Sequence, residues 1–389
     1  MEESNPMIDL FKFEELLTDD EKMVRDSVRS FVQARVMPLI RDCWREGRFP
    51  KELIGEMAAL GLLGSTIHGY GCAGLGQVAY GLAMQELEHA DSGVRSFVSV
   101  QNGLVMHPIH AFGTDEQKNH WLPQLAQGKA IGCFGLTEAD FGSNPGGMRT
   151  TARSDGTDYV LNGAKMWITN GTIADVAVVF AKCDDRIRGF LVEQGTPGFT
   201  TREIQGKLSL RASVTAELVL EDCRIPLRNA LPGAVGLRSA LECLNRARYS
   251  IAWGAIGAAS ACFEEALEYA KNRVQFARPI AGYQLVQEKL VEMWNEINKA
   301  QLMTLRLGQL LERGLEDPTP ISVAKRNNVK MALQAARTAR EILGANGVVD
   351  DYVSMRHACN LEAVYTYEGT HDIHTLIVGQ ALTGIAAFS

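Results

Sequence analysis

Apolar residues recur at helical spacing through roughly the first 130 residues. Thr18 and Glu21 read as a capping box, followed by Val24, Val28, Phe31 and Val32 on one face, and Pro38 is expected to limit that helix. "FPKELIGEMAALGLLG" opens with Pro50 in a first-turn position and closes at glycine, and "GQVAYGLAMQELEHADSG" is another periodic stretch. Near Ile131 the texture changes to short apolar runs separated by turn residues, such as "IGCFGL", "ADVAVVFAKC" and "TAELVLEDCRI". Asn162-Gly163, between "YVL" and "AKMWI", predicts a hairpin turn. An antiparallel β domain is therefore expected up to about residue 230. Long amphipathic helices then return, in "SALECLNRARYSIAWGAIGAASACFEEALEYAKNR", "QLVQEKLVEMWNEINKAQLMTLRLGQLLERG" and "SVAKRNNVKMALQAARTAREILGANG". Near the end Leu376, Ile377, Ala381 and Leu382 share a helical spacing that predicts a well-packed helix. The expected fold is mostly α with a β domain: an all-α unit at 1–130, a β unit at 131–232 and a helical bundle at 233–389.

Composition narrows the function. Of 389 residues, 46% are hydrophobic and 22% charged, as in ordinary globular enzymes. A net charge of -7 argues against a nucleic-acid partner, because a phosphate-binding face wants basic excess. The eight cysteines show no metal-ligand or CxxC spacing and are expected to be reduced thiols. The acidic opening "MEESNPMIDLFKFEELL" has no signal-peptide or transit-peptide pattern, and no apolar run is long enough for a membrane span. The expectation is a cytoplasmic protein of bacterial type, or the mature matrix form of a mitochondrial one.

Several stretches carry candidate chemistry. "CFGLTEADFGSNPGG" follows a predicted strand with a loop of glycine, hydroxyl and acidic residues, either a polar-ligand cradle or a turn cluster. Taken alone, Trp167 and Thr169 in "KMWITNG" are better explained by core or sheet packing than by a cofactor contact, and Arg211 in "LRAS" by solvation or ion pairing. "NRVQFARPI" follows a long helix, and "EILGANG" ends one with glycines that permit close backbone approach. Glu368 sits between an aromatic ring and a glycine within an apolar region, where a charge is costly unless paired or used.

Taken in order, "LTEADFGSN", "KMWITNG", "LRAS", "RVQFARPI", "LGANG" and "YEGTHDI" resemble the acyl-CoA dehydrogenase family over essentially the whole chain. The resemblance implies an FAD-dependent, usually tetrameric flavoprotein with an N-terminal helical domain, a middle β domain and a C-terminal four-helix domain. "GVRSFVSVQNGLVMHPI", "GKLSLRAS", "NRARYSIAWG" and "NLEAVYTYEGTHDIHTLIVGQALTGI" are similar to the branch of that family that acts on glutaryl-CoA.

For the chemistry, the resemblance makes Glu368 the base that takes the α-proton of an acyl thioester, with its own backbone N–H stabilising the developing oxyanion. Some members carry the base within the stretch matching "NRARYS", but Ala247 offers no carboxylate there. Ser143, Asn245, Arg248, Tyr367 and Gly369 are expected at the substrate. FAD contacts are expected from Phe134, Leu136, Thr137, Gly142 and Ser143 in the first loop, and from Trp167, Ile168 and Thr169 beside the flavin ring. Arg273, Gln275, Phe276 and Gln284 match residues that reach FAD across a subunit interface, and Glu341, Gly344, Gly347, Thr370 and Asp372 complete the set. Ala277 and Ala345 replace glycines usual in the family, each adding one methyl. His371 and His374 stand where other members have serine and glutamine, a pattern that suits the glutaryl type.

Arg95 carries the expected specificity. A lone arginine on a helix edge is ordinarily solvated, but a distal carboxylate in an otherwise apolar acyl pocket needs a cation, and a guanidinium can pair it bidentately. The resemblance adds Glu88 as acidic partner and Ser96 as a second polar contact, while Val94 replaces a more usual tyrosine. The implied reaction is oxidation of glutaryl-CoA to glutaconyl-CoA and decarboxylation to crotonyl-CoA, with electrons passed to electron-transfer flavoprotein. Alternatives are a short-chain enzyme acting on butyryl-type substrates, a glutaryl-CoA dehydrogenase that keeps its carbon dioxide, an oxidase using oxygen directly, or an idle flavoprotein.

Overall fold

A computed structural model describes residues 8–315 and 317–387. Helix α1 (Asp19–Phe31) starts with the capping box implied by its sequence: the Glu21 N–H donates to the Thr18 hydroxyl at 3.3 Å and the Thr18 N–H to the Glu21 carboxylate at 2.7 Å. Pro38 does not end the helix. The chain runs through a π-helical stretch, Val32–Val36, into α2 (Met37–Glu46) with Pro38 in its first turn. The wider π turn makes room for the ring, and a first turn does not need the missing N–H. Pro50 caps a short 3₁₀ turn, Lys51–Leu53, that feeds α3 (Ile54–Ala59).

Helices α4 (Gln77–Ala90) and α5 (Ser92–Ser99) are separated by Asp91, whose extended backbone breaks the helix and whose carboxylate accepts from the Gly93 N–H at 2.7 Å. A second π stretch, Val100–Met106, then leads into α6 (His107–Phe112) and α7 (Asp115–Ala126).

The β region is one eight-stranded sheet: β1 (Gly132–Gly135), β2 (Thr151–Ser154), β3 (Asp158–Thr169), β4 (Val176–Cys183), β5 (Arg186–Glu193), β6 (Phe199–Glu203), β7 (Thr215–Pro226) and β8 (Ala230–Val235). The order is β6-β7-β3-β2-β4-β5-β8, with β1 on β4. It is antiparallel except where β1 and β2 each run parallel to β4, which the expectation of a purely antiparallel domain did not include. In β4 the faces alternate: Val176, Val178 and Phe180 join the helical core, while Ala177, Val179 and Ala181 pack in the sheet's own core.

Asn162-Gly163 is not a hairpin turn. Both residues lie inside β3, at a register shift against β7 between Leu161 and Gly163. The Asn162 amide exchanges hydrogen bonds with Asp222 across the bulge, and a Cβ on Gly163 would lie 2.5 Å from the Thr150 hydroxyl, so the glycine serves close approach to β2.

Helix α8 (Leu237–Asn272) runs through the middle of the fold, and every residue from Ala247 to Phe263 is buried. It packs against α4 and α10 (Pro318–Ile342), with α9 (Gln284–Glu312), α11 (Val353–Thr366) and α12 (His371–Thr383) completing the C-terminal helices. The expected tight packing of the last helix is not found: α12 rests on α10, and Leu382 is 82% exposed. Leu376 and Ile377 are only half-buried.

The three regions meet at Asn360 on α11. Its amide N–H donates to Asp91 at 2.8 Å, and its carbonyl accepts from the Trp44 indole at 3.1 Å and the Leu210 N–H at 2.9 Å. Arg211, expected to be solvated or ion-paired, instead donates to the carbonyls of Trp44, Arg45 and Lys207 and lies over the Trp44 ring, fastening the β region to the end of α2. All eight cysteines are free thiols. Among the described residues no helix is long and apolar enough to cross a membrane, and no cluster of side chains could hold a metal.

Candidate active site

The turn between α11 and α12 carries Glu368. The last helical bond runs from the Tyr367 N–H to the Ala363 carbonyl at 2.9 Å. Glu368 and Gly369 then adopt φ of 52° and 95°, and the Thr370 hydroxyl caps α12 by accepting from the Ile373 N–H at 3.1 Å. A glutamate in left-handed backbone is uncommon and must be held by its surroundings. Arg248 Nε donates to the Glu368 carbonyl at 2.8 Å, while Nη1 reaches Asn245 at 3.0 Å. Lys325 Nζ donates to the carbonyls of Tyr367 and Gly369 at 3.1 and 2.9 Å.

Oε2 of Glu368 is buried with no hydrogen-bond partner among the described residues. Burial pushes its carboxyl up to about 6, against the pull of Arg95, Arg248 and Lys325. That value suits a group that must be ionised near neutrality yet retain basicity.

Arg95 is not solvated: it is completely buried on α5. Nε donates to Glu88 on α4 at 2.5 Å, Nη2 donates to the Tyr367 hydroxyl at 2.6 Å, and Nη1 has no partner among the described residues. The Ser92 hydroxyl donates to the other Glu88 oxygen at 2.7 Å. Despite burial, Glu88 and Tyr367 keep the guanidinium firmly charged. The pair fits only because α8 carries Gly254 here; a Cβ there would lie 2.0 Å from Glu88 Oε2 and 2.9 Å from Arg95 Nε. Ser96 is buried on the same helix. The Tyr367 hydroxyl thus links the arginine to the turn that bears the glutamate.

A second set of residues lines the sheet. Phe134, Leu136 and Ile168 are buried, whereas Gly142 and Ser143 are exposed in the loop after β1. Trp167 is 60% exposed, contrary to the packing role its isolated reading allowed. The cause is a bulge in β3 between Lys165 and Ile168: the Met166 N–H leaves the ladder to donate to Thr137 at 2.8 Å, and Trp167 takes φ of 65°. An open indole beside Thr169 and a loop of exposed polar residues fits a planar heteroaromatic ring with hydrogen-bonding edges.

The sequence reading missed what holds this loop. Glu138 is buried and accepts from the N–H groups of Arg149 and Thr150, the Thr150 hydroxyl and Lys165 Nζ at 2.9 Å. Lys165 also donates to the Leu136 carbonyl at 3.1 Å. Against the burial that would raise it, these donors hold the Glu138 carboxyl down at about 2. The signal was in plain sight, a lysine in a strand and a glutamate in a loop, but their pairing is long-range.

The remaining expected residues form a separate group. Arg273, Gln275 and Phe276 follow the far end of α8, about 36 Å along the helix from Arg248 at its ordinary rise. Phe276 is 90% exposed, and both it and Ala277 have left-handed backbone. Gln284 opens α9 nearby. Lys289 on that helix pairs with Glu341 at 2.7 Å, and the Asn346 amide between Gly344 and Gly347 donates to Tyr269 at 3.0 Å. This group is therefore distinct from the surroundings of Glu368, where Thr370 caps α12 and Asp372 lies in its first turn.

Family models match residues 18–129 (acyl-CoA dehydrogenase, N-terminal domain), 133–223 (middle domain) and 234–383 (C-terminal domain). The chain belongs to the acyl-CoA dehydrogenase family. A crystal structure of glutaryl-CoA dehydrogenase from Mycobacterium smegmatis is 55% identical, with TM-score 0.97, over 98% of this chain and 99% of that one. A second, of a glutaryl-CoA dehydrogenase from the same organism in complex with FADH2, is 53% identical over 98% of each chain, also at TM-score 0.97. The mitochondrial short-chain specific acyl-CoA dehydrogenase of Mus musculus is 36% identical over 93% of this chain and 90% of its own length. As an acyl-CoA dehydrogenase the protein is a flavin-dependent enzyme.

Proposed function

We propose that the protein oxidises glutaryl-CoA and decarboxylates the product to crotonyl-CoA and carbon dioxide. The observation that carries this reading is a pair of unpartnered buried atoms joined through Tyr367: Nη1 of Arg95 and Oε2 of Glu368. A buried guanidinium with a free donor is costly unless an anion completes it, and a short-chain alkyl substrate supplies none. A distal carboxylate does.

With the substrate carboxylate on Arg95 and the thioester at the turn, Glu368 takes the α-proton. FAD, held by the loop around Thr137 and Ser143 and by Trp167 and Thr169, supplies when bound the acceptor for the β-hydride. The Glu368 N–H, and CoA contacts from Ser143, Asn245 and Arg248, orient the thioester. Glu368 is then a carboxylic acid. In glutaconyl-CoA the bond to the distal carboxyl breaks, carbon dioxide leaves, and its electron pair is delocalised toward the thioester. Glu368 returns its proton to the γ-carbon, giving crotonyl-CoA and a regenerated carboxylate.

The group at Arg273, Phe276, Gln284 and Gly344 serves FAD of a neighbouring subunit in a homotetramer, which explains why aromatic and polar side chains stand exposed so far from Glu368. Electrons pass on to electron-transfer flavoprotein. The test is anaerobic mixing of the flavin-loaded protein with glutaryl-CoA and an artificial acceptor, followed by product analysis. Crotonyl-CoA with carbon dioxide is expected. Glutaconyl-CoA alone would remove the decarboxylation, and flavin bleaching by butyryl-CoA but not glutaryl-CoA would overturn the substrate.

A further inference from the structure

Three consecutive backbone carbonyls around the carboxylate are bound by two buried cations. Lys325 takes those of Tyr367 and Gly369, and Arg248 takes that of Glu368 between them. In a trans peptide the N–H points opposite to the C=O, so each captured carbonyl also aims the next residue's N–H. The bond to the Tyr367 carbonyl turns the Glu368 N–H away from Lys325, and the bond to the Glu368 carbonyl turns the Gly369 N–H away from Arg248. One ammonium gripping both sides of Glu368 leaves the turn little freedom to leave its left-handed conformation, which glutamate alone would disfavour.

We infer that Lys325 on α10 is a positioning residue for the reaction, its ammonium clamping the carbonyls on either side of Glu368 so that the carboxylate and the Glu368 N–H are presented together. This rests on the reading of Glu368 as the base. Lys325 is 1% exposed. An ordinary buried lysine that caps α11 would need only the Tyr367 carbonyl; the second bond, to Gly369, spans the glutamate and belongs to neither helix.

The same ammonium contributes charge. The groups facing Glu368 are Tyr80 from α4, Arg95 from α5 with Glu88 behind it, Arg248 from α8, Lys325 from α10, Tyr367 at the end of α11 and His374 from α12. Burial pulls Lys325 down to about 7 and, with Lys325 and Arg248 nearby, holds His374 at about 3, so His374 stays neutral. A deprotonated amine still has two N–H groups for two carbonyls, so the clamp survives that titration while the attraction for the carboxylate does not.

The test compares wild type, K325M, K325Q and E368Q as flavin-loaded proteins. The readouts are kcat and KM for glutaryl-CoA across pH and the infrared band of the protonated Glu368 carboxyl, with E368Q as the blank. K325M is expected to lose about 10²-fold in kcat with KM nearly unchanged, because a small misplacement of the base acts on the chemical step. Its carboxyl midpoint is expected to rise, since a positive charge has gone. K325Q keeps two donors without charge, so it should share the raised midpoint but retain more of kcat at high pH. Wild-type kcat and an unmoved midpoint in K325M would overturn the inference. If K325M does not fold, the same result in K325Q overturns it. An active E368Q would instead overturn the reading of the base beneath it.

Discussion

Two buried ion pairs in this molecule each join a cation to a glutamate, but they are satisfied to different degrees. In the β region, Lys165 and Glu138 satisfy each other and their neighbours: the ammonium has a carboxylate and a carbonyl, and the carboxylate receives four donors. Between α4 and α5, Arg95 and Glu88 are buried as deeply, but the guanidinium keeps one nitrogen without a partner, and Glu368, two steps away through Tyr367, keeps one oxygen. A closed pair holds backbone in place. An open pair keeps hydrogen-bonding capacity that the protein itself does not use, and burial makes leaving such capacity unused expensive. On the reading proposed above, the first pair supports a loop and the second receives a substrate.

The comparison breaks most directly at Glu368. E368Q keeps the shape and removes the base, so kcat should fall by about 10³-fold or more while the folded protein and its flavin content persist. Turnover close to wild type would remove Glu368 from the chemistry.

The closed pair should respond in stability. E138Q leaves Lys165 buried without its counter-charge, and the expected loss is about 3–5 kcal/mol by denaturant unfolding, with lower flavin occupancy. Turnover per bound flavin should stay near wild type. The sign with pH follows from the depressed carboxyl: its contribution is present above the ordinary carboxylate range and is lost as pH falls toward about 2. A variant as stable as wild type but defective per flavin would reverse the roles assigned to the two pairs.

A smaller effect is the pH dependence of the reaction. The base works when ionised, so kcat/KM, which reports the free enzyme, should rise with pH through about 6, where burial has placed Glu368. A rise centred near 4 would mean that the carboxylate is solvated during turnover.

How much of this was legible in the chain depends on how local each signal is. The Thr18–Glu21 box and the long α8 pattern are local, and they appear as read. Pro38 and Asn162-Gly163 are local signals whose usual meaning was overruled, one by a π turn that accommodates the ring, the other by a bulge fastened through Asp222. The burial of Arg95 was not legible, because its partner Glu88 lies across the break at Asp91 and the gap both occupy is made by Gly254 on another helix. Lys325 carried no signal at all. It reads as one more cation on an amphipathic helix, and only tertiary packing brings it to the turn 43 residues later. Resemblance supplied Glu368 and Arg95 as candidates; the clamp around Glu368 exists only in the folded chain.

The most direct test of the open pair is the ratio of kcat/KM for glutaryl-CoA to that for butyryl-CoA, measured on wild type and on R95Q. Wild type should prefer glutaryl-CoA, and R95Q should lose about 10²-fold or more on glutaryl-CoA, as truncating one partner of a buried charge pair costs 2–5 kcal/mol, while butyryl-CoA turnover falls far less. An unchanged ratio would contradict the assignment of Arg95 to the distal carboxylate.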